Sequence, residues 1–344
     1  MRLLDQIAQC QEPFLVRSDI TGEVTRLSGA GDCAPLLRRC PTRYVLSDDL
    51  TRLCTELAYS KGTQVLDCID LIHTPAELLW IEWCDAPWRE TLREHGFDHP
   101  GDDERDGGRR GVLVRSTPAG QRGSIRAFWN TGDTDQDIFA SAMEAHFYLD
   151  DPTVPDGAAA PDPTTLRVFA KDIDRHSVLT RCFHYEFEQS WANYYQREIH
   201  SPEHYRELQR QAAGTIAVAV PVLLAFFLLL GTRTGLPRQA ADLSRLNRAR
   251  VKAGRIPLLD HIEMRAPVLP DYQQAASTND RPGVRRGPRL HHVRGHLVRR
   301  GSTLYWRVPH VRGKSRRGSV QTRTVIWTFD RTRTVSAPAC WAMA

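Results

Sequence analysis

The sequence predicts an α+β protein: an antiparallel sheet with helices, a helical middle region and a small basic β-rich C-terminal module. Three observations predict it. Short apolar runs at 112–116, 124–129 and 138–149 are broken by glycine-containing turns, the spacing of antiparallel strands. Residues 172–230 carry helical signals, including Ser201 as N-cap, Pro202 in the first turn and acidic Glu203 behind it. Beyond them lies an Arg-rich segment with strand-like alternation.

Taken in order, residues 3–60 read as helical with loops. Ser47 is placed to cap a helix over 49–59 that Gly62 ends. The run Leu78–Cys84 (LLWIEWC) suits a strand, although Thr74 and Glu77 also fit a capping box and a first helical turn. Residues 98–111 form a polar loop. The Pro/Ala/Asp-rich stretch 150–163 reads as a linker, which closes an acidic domain at 1–150. A mainly helical region follows at 164–265, ending in a short basic helix over 243–253 that Gly254 closes. Residues 272–289 look like a second linker. The basic module is expected at 289–330, with three strand-like runs separated by Gly301 and by Gly313 and Gly318. No internal repeat is evident.

The net charge of +5 hides two oppositely charged parts. From Arg233 to Arg333 there are 23 basic and 6 acidic residues, whereas the rest of the chain holds 23 basic and 35 acidic. Between Arg281 and Arg323 stand 13 basic residues and no acidic one. A solvated surface normally mixes signs, so this run asks for a polyanion or an acidic surface. Nucleic acid is the favoured partner, ahead of the chain's own acidic part and of membrane lipid. Only four of the 46 cationic side chains are lysine, and the planar guanidinium fork grips phosphate at two oxygens.

The eight cysteines include no C-x-x-C pair, which argues against a zinc ribbon. The first residues lack the apolar stretch of a signal peptide, so reduced thiols in a host-cell cytoplasm are expected. Residues 211–232 carry no charge and could cross a bilayer by length. A fully buried core helix fits equally and is favoured, because Pro221, Gly214 and many alanines interrupt the run.

The candidate binding residues lie in the tail. Alternation places His292, Arg294 and His296 on one strand face, and Tyr305 with Arg307 on another. Arg294, Arg299, Arg300, Arg307 and Arg312 are expected to hold phosphate, with Tyr305 offering a stacking face to a base. Core packing is the competing reading for Tyr305, Trp306 and Trp327. His292 and His296 make a poor metal chelate on a strand. Asp133, Asp135 and Asp137 imitate a calcium loop, but Ile138 stands where glycine is needed. No P-loop, G-x-S-x-G or H-E-x-x-H motif occurs, so no catalytic residue, metal or cofactor is expected. The rival enzyme reading is a magnesium-dependent nuclease using Asp133 and Asp135.

One resemblance enters at the tail. The segments His292-Val-Arg-Gly-His296 and Tyr305-Trp-Arg307, with Val325-Ile-Trp327, resemble the C-terminus of a type V-A anti-CRISPR family, the second named in that class. Residues 244–260 are similar to relatives of that family. Trp80-Ile-Glu-Trp83, Ala127-Phe-Trp129 and Phe147-Tyr-Leu149 stand in the order of its N-terminal strands. The resemblance implies a phage or mobile-element protein that lowers expression of a CRISPR effector nuclease. It would do so by recognising the nascent chain and triggering loss of its messenger RNA.

Overall fold

The computed structural model describes residues 2–96, 108–130, 138–151, 167–169, 177–233, 235–267, 289–293, 295–307, 310–312 and 314–319. The chain divides into two units. One comprises Met1–Pro267 and Leu297–Trp306, the other Val268–His296 and Arg307–Ala344. Both of the expected parts 1–150 and 164–265 fall within the first unit.

In chain order the elements begin with α1 (Leu3–Gln9), the ribbon of β1 (Phe14–Arg17) and β2 (Val24–Leu27), and α2 (Ala30–Arg39). Next come β3 (Thr42–Leu46), α3 (Asp48–Ser60), α4 (Gly62–Leu66), β4 (Leu78–Cys84) and α5 (Asp85–Glu94). The strands β5 (Arg109–Ser116), β6 (Arg122–Asn130), β7 (Ile138–Tyr148), β8 (Arg167–Phe169) and β9 (Phe183–Phe187) follow. Then stand α6 (Gln189–Glu198), α7 (Pro202–Ala217), α8 (Val220–Leu230), β10 (Arg238–Ala240), α9 (Ser244–Lys252) and β11 (Ile262–Met264). Five short strands close the sequence of elements: β12 (Arg289–Val293), β13 (His296–Arg300), β14 (Thr303–Arg307), β15 (His310–Arg312) and β16 (Lys314–Ser319).

A nine-stranded sheet in the order β10-β11-β3-β4-β5-β6-β7-β9-β8 organises the first unit. The pairs β11–β3 and β3–β4 are parallel and the others antiparallel. The parallel part exists because α3 and α4 carry the chain over the sheet between β3 and β4, as a parallel pairing requires. The strand β9 interrupts the stretch 172–230, which is otherwise mainly helical as expected. It pairs with β7 and so draws the region after the expected linker into the N-terminal sheet.

The two faces of this sheet differ. One is sealed by α3, α5, α7 and α8 over Leu79, Ile81, Trp83, Val112, Val114, Met143, Phe147 and Tyr185, all buried. Helix α8 is the expected apolar run. Its residues from 220 to 229 are all buried, and Phe226 meets Tyr44 of β3 edge-on at 5.7 Å. The combined helix Pro202–Leu230 is long and apolar enough to cross a membrane, but 83% of its most apolar stretch is buried within the fold. That burial is what the core-helix reading requires.

Among the described residues, α1 and α2 cover one end of the second face. There α1 and α2 set Leu3, Leu4, Ile7 and Leu37 against Trp80, Leu113 and Phe128. Trp80 lies over Gly111, where an added Cβ would come within 2.2 Å of its ring. Glu82, fully buried on β4, accepts the backbone N–H of Leu3 (3.0 Å) and of Leu4 (2.9 Å). It also accepts Trp80 Nε1 at 3.2 Å and pairs with Arg109. The negative charge meets the open N–H groups at the start of α1 and fixes that helix on the sheet.

Local signals explain the helix ends. Ser47 accepts the Leu50 N–H and Ser201 that of His204, as expected from sequence. The Thr74–Glu77 alternative is not realised, because Leu78–Cys84 is a strand. Among the described residues of the second unit, β12 pairs antiparallel with β15 and parallel with β16.

Candidate functional site

The hairpin β13–β14 carries His296, Arg299, Arg300, Tyr305 and Arg307 of the predicted residues. Alternation along β14 buries Leu304 and Trp306 (4% and 5% exposed) and leaves Tyr305 half-buried and Arg307 exposed. The backbone N–H of Arg233 donates to Leu304 O at 2.9 Å, and Arg233 Nη1 reaches the Tyr305 hydroxyl at 3.3 Å. Trp306 thus follows the core-packing reading, and the half-buried Tyr305 ring lies beneath Arg300, whose Cζ lies 5.9 Å from the ring centroid.

Arg299 is engaged within the chain. Its Nη1 and Nη2 form a fork on Asp70 at 2.9 and 2.8 Å, and Nη1 also donates to Asp67 O at 2.9 Å. The bond to Asp70 raises the guanidinium pKa further. The guanidinium expected to hold phosphate thus meets a carboxylate of the same chain.

The remaining predicted residues lie on several strands, of which β12 with His292 and β15 with Arg312 are paired. His292 lies on β12 and His296 on β13, two strands of different sheets, so the expected shared face does not form. Gly295 separates the strands. Arg312 lies on β15, and Arg294 lies outside the described residues, as do Asp133, Asp135, Asp137 and Trp327.

Sequence reasoning singled out 243–253 as a basic helix without assigning it a site. In the structure α9 has no buried residue. Asn247 holds the following loop through bonds to Leu258 N (2.8 Å) and Leu258 O (3.0 Å). On the side turned away from Asn247, Arg245, Arg248 and Lys252 fall within about 60° of arc at 3.6 residues per turn. All three are exposed. Among the described residues, Arg245 and Lys252 have no ion-pair or hydrogen-bond partner. The helix ends as expected: Gly254 adopts φ 68°, and Arg255 N donates back to Arg250 O at 2.8 Å.

A second cluster was invisible in the sequence. On the sheet's second face, His146 of β7 stands opposite His184 of β9, with Glu186 two residues along. The imidazoles stack at 4.9 Å with 5° between planes, and Tyr148 stacks on His184 at 5.5 Å. Glu186 lies 3.0 Å from His184 Nε2 and 3.8 Å from His146 Nε2. Burial, then the neighbouring His184, push the His146 imidazole below its ordinary pKa, while Glu186 and Glu144 act in the opposite sense. His184 is nearly enclosed, whereas the His146 and Glu186 side chains are 28% and 27% exposed.

Comparison with protein-family models, curated proteins and solved structures gives no match for this chain.

Proposed function

We propose that this is a non-enzymatic phage or mobile-element protein that binds nucleic acid, RNA in preference to DNA, through its Arg-rich C-terminal third. It acts in the host cytoplasm and lowers the level of a host defence effector. The acidic N-terminal part selects the target protein or its nascent chain. The observation that carries the binding reading is the run of 13 basic residues between Arg281 and Arg323 with no carboxylate among them. The exposed ridge of Arg245, Arg248 and Lys252 and the Arg300–Tyr305 pair support it. The ridge offers point contacts to phosphate, and Tyr305 offers a face for a base. The defence role rests on the tail's resemblance to the anti-CRISPR family.

The test is fluorescence anisotropy of the full chain with a single-stranded RNA over a series of salt concentrations. With six or more phosphates engaged, affinity is expected to fall on the order of a thousandfold between 50 and 200 mM salt. A salt-independent affinity rejects the reading. Equal binding of single-stranded DNA of the same length removes the preference for RNA.

A further inference from the structure

From the geometry we infer that His146, His184 and Glu186 form a binding site for a divalent zinc-like ion on the second face of the sheet. One ligating atom from each residue lies within 4.8 Å of the other two. Two imidazole nitrogens and one carboxylate oxygen are a donor set for zinc rather than for magnesium or calcium, which take oxygen ligands. Around a tetrahedral zinc with bonds of about 2.0–2.1 Å, donor atoms sit roughly 3.4 Å apart. The Glu186 contacts of 3.0 and 3.8 Å already bracket that spacing. Tilting the two rings toward each other is the remaining adjustment.

The fold supplies the rigidity such a site needs. Both histidines and the carboxylate stand on neighbouring strands in fixed register, His146 opposite His184 and Ala145 opposite Tyr185. The apolar side of the same strands is locked into the core by Ala145, Phe147, Phe183 and Tyr185, each buried. Tyr148 packs flat on the His184 ring and limits its swing. The His146 and Glu186 side chains keep about a quarter of their surface open. Among the described residues three protein donors meet the ion, and the fourth position of a tetrahedral zinc is left to water. That is the pattern of sites where zinc acts on a bound molecule, not of the closed four-ligand structural kind. The site does not depend on nucleic-acid binding by the Arg-rich segment.

The test uses the full chain, stripped with chelator and titrated calorimetrically with zinc, and with cobalt as a spectroscopic substitute. One ion is expected per chain, and cobalt should give tetrahedral visible bands without a thiolate charge-transfer band. His146→Gln and Glu186→Gln alter partly exposed positions, and circular dichroism checks that they fold. Each should weaken zinc by at least about a hundredfold, since loss of even an outer partner costs 10–100-fold. If His146→Gln does not fold, the Glu186→Gln titration alone decides. Stoichiometric binding that these variants leave unchanged, a thiolate band, or no binding above micromolar affinity overturns the inference.

Discussion

Two basic elements of the first unit, the hairpin β13–β14 and the helix α9, are alike in composition and opposite in what their cations do. In the hairpin, Arg299 forks onto Asp70 and the apolar alternates Leu304 and Trp306 are buried. In α9 no residue is buried, and Arg245, Arg248 and Lys252 point away from the body. An arginine-rich sequence is therefore not by itself a phosphate surface. What separates the two cases is whether an apolar partner residue at strand spacing draws the element onto the core. In α9 the apolar residues Leu246 and Val251 remain 50% and 59% exposed, so nothing pulls the helix inward.

The comparison can be broken from the hairpin side first. Trp306→Ala removes the larger buried anchor and is expected to cost about 3–5 kcal/mol, the range for a buried aromatic cut to alanine. Thermal unfolding measures the loss, and faster trypsin cleavage at Arg299 and Arg300 would show that the hairpin has come away. On the helix side, the triple change Arg245→Ala, Arg248→Ala and Lys252→Ala should leave the melting temperature nearly unchanged. It should weaken RNA binding at low salt by on the order of tenfold, because solvated cations are removed and no core contact is touched. Gly254→Ala should destabilise by about 1 kcal/mol, since a Cβ is strained at positive φ, and should fray the end of α9. Smallest of all, Asp70→Asn releases Arg299 from an exposed pair. The shift in melting temperature should be minor beside that of Trp306→Ala, and RNA affinity should stay level or rise slightly.

Much of the architecture was readable in advance, and the failures share a cause. The strands β4 to β7 are each seven residues or longer and carry apolar runs, so the sequence pattern reports them. Ser47, Ser201 and Gly254 act on groups within a turn of themselves and were legible for that reason. The strand β3 has five residues, and its neighbours β4 and β11 are supplied from far along the chain. The strand β9, FHYEF, lies among helical signals and becomes a strand because β7 offers it an edge. A Pro/Ala/Asp stretch predicts a linker but says nothing of whether the chain returns to the same sheet. Likewise Arg299 and Asp70 lie 229 positions apart, and His146 meets His184 only through the register of two strands. Long-range pairing decides these points, and periodicity carries no trace of it.

The most direct test of the outward-facing helix is the slope of log affinity for single-stranded RNA against log salt, for the full chain and two variants. Each phosphate contact removed should lower the slope by about 0.7, so the Arg245, Arg248 and Lys252 triple variant should lose about 2. Arg299→Gln, whose side chain faces Asp70 in place of phosphate, should keep the slope of the parent. A triple variant with the parental slope, or a larger loss for Arg299→Gln, would contradict the account.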